Sequence, residues 1–290
     1  MKPQRKRAVA ALAVIGLSLL SGSGCSGRGG AFTFVQLCDT QLGFGGYEHD
    51  VASFEQAVEQ INALRPDVVF ICGDLVNQAD DKSFADFSRI KDRLIVPCHC
   101  ASGNHDVGND PTHASLERYR KLIGADYYSL EHKGYIFVIV NTQLWKSPLE
   151  PESHRQDAWL ADTLAGARAK NYPVVIVGHH PVFLTDPDEK DDYYNLPGER
   201  RKDLLSLYEQ HGVVAVLGGH THSMIVNDYH GIQLVNGETT SRNFDGRPLG
   251  FRLWTVVSPT SMEHEFIPLR ESDRAADKPA SSPVKQQVPR

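Results

Sequence analysis

Short apolar runs that favour β-strands alternate with helical periodicity through the first third of the sequence. Residues 31–37 and 67–72 are apolar and rich in β-branched or aromatic side chains, and apolar residues recur at helical spacing between 51 and 61. A second helical pattern, between 84 and 94, leads into the apolar run 95–101. Because strand, helix, strand, helix, strand builds a parallel sheet with right-handed crossovers, this order predicts an α/β fold.

The second half of the sequence continues the alternation and then turns to short strands. A β-pair is predicted over residues 127–140, a helix over 153–170, and buried strands over 174–177 and 213–217. The strand-like runs after residue 222 are typical of a meander. With 290 residues, 41% of them hydrophobic, the chain is long enough for one large core.

Five of the apolar runs end in polar residues. Ligands of α/β sheets bind beyond the carboxyl ends of the strands, so the five clusters are expected to meet at one edge of the fold. Each cluster alone has a simpler explanation, such as a helix cap, a turn or a packed histidine. Together, their carboxylate, amide and imidazole groups predict a metal site. The clusters are Asp39-Thr40-Gln41, Gly73-Asp74, Gly103-Asn104-His105-Asp106, His179 and His220-Thr221-His222.

In this order the clusters resemble the signature of the calcineurin-like metallophosphoesterases: Asp-x-His, Gly-Asp, Gly-Asn-His-Asp/Glu, a single His and Gly-His-x-His. The resemblance covers residues 31–270. It implies a four-layer α/β/β/α sandwich of two mixed β-sheets, with a dinuclear metal site at the C-terminal ends of the strands. The implied cofactors are two divalent ions, from among manganese, magnesium, iron and zinc. The implied chemistry is hydrolysis of a phosphate ester by a hydroxide that bridges the two ions.

The resemblance also implies a role for each residue of the clusters. His105 would stay off the metals, face the substrate and protonate the leaving group. Asp106 would orient His105, as a carboxylate does for many catalytic imidazoles. The first ion would take Asp39, Gln41, Asp74 and His222, and the second ion would take Asp74, Asn104, His179 and His220.

Gln41 departs from the family signature, which has histidine at this position. An amide oxygen is a harder and weaker ligand than imidazole, so the first ion is expected to be manganese or magnesium rather than zinc if Gln41 binds it. The alternative is that water fills the position. The Asp-x-Gln variant, together with residues 103–111 and 191–196, most resembles the calcineurin-like phosphoesterase domain-containing serine/threonine-protein phosphatases.

The predicted substrate is a phosphate monoester, a phosphoprotein among the candidates. An alternative substrate is a phosphodiester of a nucleotide or a phospholipid headgroup. An alternative function is that the chain is a non-catalytic metal-binding envelope protein. Residues 185–201 are too polar and proline-punctuated for the core and are predicted to be a substrate-side loop. In this loop Tyr193 and Tyr194 either stack on an aromatic leaving group or pack beneath the loop. Arginines that either hold a monoester's second charge or form a solvated surface are Arg200, Arg201 and Arg242.

The N-terminus is predicted to be an export signal over residues 1–25. Basic residues precede an apolar run, 8–20, that is too short to span a bilayer comfortably, and small residues then lead to Cys25. This arrangement resembles a bacterial lipoprotein cleavage site, with plain secretory cleavage as the alternative. The protein is therefore expected in the cell envelope or periplasm, with membrane attachment if Cys25 is lipidated. Residues 271–290 are predicted to be a disordered tail.

Charge and cysteine content narrow the partners further. The formal net charge of −6 gives no electrostatic reason to expect nucleic acid binding. The remaining cysteines lie in or beside apolar runs, which favours buried thiols over disulfides. They are Cys38, Cys72, Cys98 and Cys100.

Overall fold

The computed structural model describes residues 30–258 and 261–270. The predicted export signal with Cys25 and the predicted tail over 271–290 lie outside the described residues. Within the described ranges, no helix has the length and apolar character needed to cross a bilayer. The four cysteines of these ranges are free thiols, three of them buried and Cys98 half-buried.

Strands and helices alternate through most of the chain, as the sequence predicts. In order they are β1 (Phe32–Leu37), α1 (Tyr47–Leu64), β2 (Val68–Cys72), α2 (Asp81–Lys91), β3 (Cys98–Ala101), α3 (Asn104–Val107), α4 (His113–Leu122), β4 (Tyr128–His132), β5 (Tyr135–Ile139), α5 (Gln143–Lys146), α6 (Glu152–Lys170), β6 (Val174–Val177), α7 (Gly198–His211), β7 (Val213–Gly218), β8 (Ile225–Tyr229), β9 (Ile232–Asn236), β10 (Gly250–Ser258) and β11 (Ser261–Pro268).

These strands form two mixed sheets. The first has the order β11-β10-β1-β2-β3, in which β1, β2 and β3 are parallel and β10 is antiparallel to β1. The second has the order β4-β5-β6-β7-β9-β8, with a parallel centre of β5, β6, β7 and β9 and antiparallel strands at both edges. The predicted meander after residue 222 is therefore divided: β8 and β9 extend the second sheet, and β10 and β11 complete the first.

Three apolar clusters hold the layers together. The first lies between the first sheet and helices α1, α2 and α4, where the rings of Phe54 and Phe87 stack. The second lies between the second sheet and helices α6 and α7. The third fills the space between the sheets with aromatic side chains, including Phe34, Phe70 and Phe137. Apolar burial on both faces of each sheet gives the predicted four-layer α/β/β/α sandwich, which is confirmed.

Candidate metal centre

The loops that follow five strands meet at one end of the two sheets. Loops after β1, β2 and β3 contribute carboxylate and amide side chains, and loops after β6 and β7 contribute imidazoles. Potential ligand atoms of Asp74, His179 and His220 all lie within 4.8 Å of one another. The predicted ligands that the two sheets bring to this end are Asp39, Gln41, Asp74, Asn104, His179, His220 and His222.

The backbone is strained where these side chains leave it. Left-handed conformations of residues other than glycine cost of order 1–3 kcal/mol each and persist where the surrounding structure enforces them. They occur at functional sites more than elsewhere. The φ angles are 46° at Asp39, 31° at Gln41, 47° at Asp74, 69° at His220 and 50° at His222.

Two glycines are required by the close approach of these loops. A Cβ atom at Gly103 would lie 2.1 Å from Oδ1 of Asp74, and one at Gly219 would lie 2.4 Å from Oδ2 of Asp39. Any other residue would therefore push a carboxylate out of the centre. This explains why glycine precedes Asn104 and His220 in the sequence.

Asp74 lies at the middle of the centre. Its Oδ1 accepts a hydrogen bond from the backbone N–H of His105 at 2.9 Å, and its Oδ2 is 3.3 Å from Nε2 of His179. Burial opposes ionisation of Asp74, but the neighbouring His179 outweighs burial and lowers the pKa of the carboxyl. Burial likewise opposes the charge on His179, but Asp74 raises the pKa of that imidazole to about 10. A divalent cation bound there would displace this proton.

Asp39 is fully buried beside the second-sheet histidines. Both of its carboxylate oxygens accept from the backbone N–H of His220 at 3.1 Å, and its Oδ1 is 3.6 Å from Nε2 of His222. Burial raises the pKa of Asp39, and the nearby histidines only partly offset this. The carboxylate therefore lacks compensating charge of the kind a metal ion supplies.

The histidines are each fixed by one ring nitrogen, which leaves the other nitrogen for the centre. Such bonds set the orientation and tautomer of metal-binding imidazoles. Burial, reinforced by His179, lowers the pKa of His220 to about 3, so this ring is neutral as ligation requires. All three bonds go to backbone carbonyls: from His179 Nδ1 to Cys72 at 2.8 Å, from His222 Nδ1 to Arg242 at 2.6 Å and from His220 Nε2 to Tyr193 at 3.3 Å.

The amide oxygen of Gln41 is buried and has no hydrogen-bond partner among the described residues. An unpaired buried oxygen costs about 1–3 kcal/mol. The backbone holds the residue in place, because its N–H donates to the carbonyl of Asp74 at 2.8 Å. An orphaned oxygen on the wall of the cavity that Asp74 and His222 also line fits a divalent cation.

Hydrogen bonds from its amide nitrogen orient the side chain of Asn104. Its Nδ2 donates to Oδ1 of Asn109 at 3.0 Å and to the hydroxyl of Tyr193 at 3.2 Å. Its Oδ1 therefore points to the centre, 3.2 Å from Nε2 of His179. The donor set as a whole, of carboxylates, amide oxygens and neutral imidazoles, fits Mn²⁺, Mg²⁺, Fe²⁺ or Zn²⁺.

His105 lines the same cavity, and its Nδ1 bonds the carbonyl of Asn77 at 2.9 Å. The structure contradicts the prediction that the carboxylate of Asp106 orients the imidazole of His105. The buried carboxylate of Asp106 accepts instead from the backbone N–H groups of Gly103, Leu75 and Val76 at 2.8–3.2 Å. Asp106 thus ties the loop after β2 to the loop after β3, because its position three residues after Gly103 directs its side chain back to the backbone.

Of the predicted substrate residues, the two tyrosines line the cavity and Arg200 does not. Tyr193 and Tyr194 line the cavity, and Tyr193 contacts Asn104 and His220 directly. Arg200 does not line it: its guanidinium is 2.9 Å from Asp157 on α6, so its charge is already paired. Arg201 is buried against Glu189 and Asp191 and holds the loop that carries the tyrosines.

Sequence reasoning did not identify two aromatic side chains of the cavity, Phe44 and Phe244. The only local signal is the glycine-rich turn around Phe44, which Asp50 holds by accepting from the N–H groups of Gly43 and Gly45. Phe244 lies 200 positions away in a polar loop, and nothing in its neighbourhood indicates that it faces the centre.

Comparisons with known proteins agree with this geometry. The family described as calcineurin-like phosphoesterase matches residues 32–224. The human serine/threonine-protein phosphatase CPPED1 is 33% identical over 83% of this chain and 85% of its own. A probable cyclic nucleotide phosphodiesterase of Psychrobacter sp. is 24% identical over 68% of this chain and 59% of its own.

A solved structure extends the similarity to the fold. A dimetal phosphatase from Danio rerio superposes with a TM-score of 0.60 at 18% identity, over 82% of this chain and 99% of its own. At that level of identity the likeness concerns the arrangement of the layers.

Proposed function

The chain belongs to the calcineurin-like phosphoesterase family and is a hydrolase of phosphoric ester bonds, and we propose that it cleaves phosphate monoesters with two divalent metal ions. The observation that carries the proposal is the orphaned oxygen of Gln41 in the cavity that also exposes Asp74 and His105. Of the alternatives for Gln41, ligation is the one that this orphaned oxygen supports, since it would satisfy the oxygen.

The proposed ligands fall into two sets that share Asp74. Metal ions bound there supply Lewis acidity, which lowers the pKa of a water and offsets negative charge on the phosphoryl oxygens. One ion would be held by the first set and the other by the second. The sets are Asp39, Gln41, Asp74 and His222, and Asp74, Asn104, His179 and His220.

His105 is the proposed acid for the leaving group. Its Nδ1 donates to the carbonyl of Asn77, so Nε2 is the nitrogen left to face the leaving group, and it can give up a proton only from the imidazolium form. His105 takes part in neither ligand set and lines the cavity directly. A leaving oxygen in the cavity can therefore receive a proton from the chain without loss of a metal ligand.

Tyr193 is the proposed donor to a non-bridging phosphate oxygen. Its hydroxyl accepts from Nδ2 of Asn104, so its own proton remains to be donated. Burial raises the pKa of Tyr193, which keeps the phenol protonated at neutral pH. Donors aimed at oxygens that gain charge in the transition state contribute strongly in such sites.

The size of the cavity supports a monoester. Its volume is about 190 Å³, below the roughly 300–1,000 Å³ of sites for drug-sized ligands. A phosphoryl group with one substituent fits this space more readily than a phosphorus with two. The phosphodiesterase among the relatives keeps a diester as the second candidate, and the serine/threonine phosphatases among them support a phosphoprotein substrate.

A chelated and metal-reconstituted preparation tests the proposal. We expect para-nitrophenyl phosphate to be hydrolysed after manganese or magnesium is added back, and the bis(para-nitrophenyl) ester to be hydrolysed more slowly. Asp74→Asn should lower turnover by more than about 100-fold, whereas Asp162→Asn, an exposed carboxylate on α6, should not change it. Faster cleavage of the bis ester would favour the diesterase. No turnover with any metal would favour the non-catalytic envelope protein.

A further inference from the structure

Four aromatic rings line the cavity of the metal centre as two pairs, and we call the space between the pairs the slot. One pair, Tyr193 and Tyr194, packs on His220, and the other, Phe44 and Phe244, packs on His222. We infer that this slot selects phosphate esters whose leaving group carries a flat aromatic ring next to the ester oxygen, as in phosphotyrosine. The inference rests on the proposed monoesterase activity and adds the class of its leaving group.

The tyrosine wall is fixed by contacts to the proposed ligands. The ring centroids of Tyr193 and His220 are 4.9 Å apart, those of Tyr194 and His220 are 5.6 Å apart, and the two tyrosines meet edge to face at 5.1 Å. The loop behind them is held by Lys146, which bonds the carbonyl of Asn195 at 2.7 Å. This wall is therefore in place without a ligand.

The phenylalanine wall comes from two distant loops. Phe244 stacks on His222 with ring centroids 4.9 Å apart at 18°, and Phe44 lies 4.9 Å from the same imidazole. The two phenyl rings are 6.0 Å apart. The backbone N–H of Phe244 donates to the carbonyl of His222 at 2.8 Å, which fixes the loop against the metal centre.

Three of these rings are exposed, so a ligand in the slot would cover apolar surface that is otherwise in contact with water. Tyr193, Tyr194 and Phe244 are 50%, 36% and 48% exposed, and they are the aromatic members of the exposed large apolar side chains within the described residues. All three line the cavity that contains Asp74 and His105. Aromatic faces and edges interact more favourably with a flat ring than with a saturated one of equal size.

The slot also sets how close the ring must be to phosphorus. The walls pack on the histidines proposed as metal ligands, so a group between them is adjacent to the phosphoryl site. A phenyl or benzyl substituent reaches this position directly. A nucleobase is separated from its phosphate by a ribose, and the serine or threonine side chain provides no ring.

The inference is tested by the binding of phosphonates to the manganese-loaded enzyme. Because phosphonates are not cleaved, their affinity does not depend on the acidity of a leaving group. Benzylphosphonate and cyclohexylmethylphosphonate have similar charge and bulk and differ in the ring. Calorimetry should show benzylphosphonate bound about fivefold more tightly. Phe244→Leu, which keeps apolar bulk at an exposed position, should bring the ratio near one, and Phe244→Tyr should preserve it. Ile95→Ala, at the opposite end of β3, is the control and should leave the ratio unchanged.

The outcomes separate this inference from the proposed function. Equal binding of the two phosphonates, or an equal loss of both in Phe244→Leu, would overturn the inference while para-nitrophenyl phosphate is still hydrolysed. Absence of both phosphonate binding and ester hydrolysis would overturn the monoesterase itself. In a turnover assay, phosphotyrosine should exceed adenosine monophosphate. The reverse order would assign the slot to a nucleobase and overturn the phosphotyrosine class.

Discussion

Gln41 has an amide oxygen that is buried and unpaired among the described residues, and the residue lines a cavity with Asp74 and three histidines. In the metal-free protein this oxygen destabilises the fold, since burial without a hydrogen bond costs free energy. The same oxygen becomes useful only when a cation is present. Its two roles can therefore be separated by measuring stability without metal and affinity for metal.

Gln41→Met tests this separation, because methionine keeps the length and volume of the side chain without the orphaned oxygen. We expect the chelated variant to be as stable as the wild type or about 1 kcal/mol more stable. Manganese affinity at one of the two sites should fall about tenfold or more. Chemical denaturation and calorimetric metal titration provide the two measurements. Lower stability with unchanged metal affinity would show that Gln41 is structural.

His105→Gln tests the proposed acid. Because His105 is outside both ligand sets, the variant should keep its full metal content and its melting temperature. Turnover of an alkyl phosphate should fall about 10²- to 10⁴-fold, as expected when a positioned proton donor is removed. Esters with acidic leaving groups should be affected less, because they need protonation less. Metal loss in the variant, measured by elemental analysis, would contradict the assignment.

At the scale of loops and helices, Asp106 links the segment after β2 to the segment after β3. Asp106→Asn retains shape but places an N–H₂ group against backbone N–H donors. We expect a loss of about 1–3 kcal/mol in unfolding free energy, with weaker metal binding because Asp74 belongs to the first of these segments and accepts from His105 of the second. Denaturant unfolding of the chelated protein measures the first effect. Asp110→Asn, on the exposed end of the same loop, is the matched control and should be near neutral.

The loop of residues 184–195, which carries Tyr193 and Tyr194, is held by the carboxylate of Glu189. Glu189 accepts from the backbone N–H groups of Leu184 and Thr185 and from the side chain of Asn195. Burial opposes ionisation, but these donors outweigh it and lower the pKa of Glu189 to about 2. A lowered folded-state pKa means that the stabilisation is complete above the unfolded value and is lost as pH falls from roughly 4.5 towards 2.

Hydrogen exchange of residues 184–195 measures that dependence. Protection of this loop should decrease through the same acidic interval in the wild type. Glu189→Gln should weaken protection already at neutral pH, by about 1–2 kcal/mol, and should remove its pH dependence. Asp188→Asn, an exposed neighbour, should behave as the wild type does. An unchanged profile in Glu189→Gln would show that the loop is held by other contacts.

The fold and the ligand clusters are readable from the sequence because both are local patterns. Asp39, Asp74 and His179 each follow an apolar run, and the period of the surrounding residues distinguishes strands from helices. Strand order is not local: an apolar run does not specify its neighbour, so β10 beside β1 was not predicted. The same limit applies to the Asp106 contacts and to Phe244, whose positions depend on long-range packing.

At the scale of the whole molecule, the proposed ligands come from both sheets. Asp39, Gln41, Asp74 and Asn104 follow strands of the first sheet, and His179, His220 and His222 follow strands of the second. Elsewhere an aromatic and aliphatic interior joins the sheets, together with a few hydrogen bonds such as those from Gln36 on β1 to the carbonyls of Gly218 and Val235. Bound metal would therefore add directional links between the sheets at this end of the sandwich.

Metal binding should therefore stabilise the whole fold and not only the loops. Manganese at about 100 times its dissociation constant should raise the unfolding free energy by about 2.7 kcal/mol for each occupied site. Hydrogen exchange at residues 72–77 and 217–223 should slow together on metal addition, because the two segments lie on different sheets. In Asp74→Asn both effects should be much smaller, since the shared ligand is impaired. Equal melting temperatures with and without metal, or protection confined to one sheet, would rule out a centre that bridges the sheets.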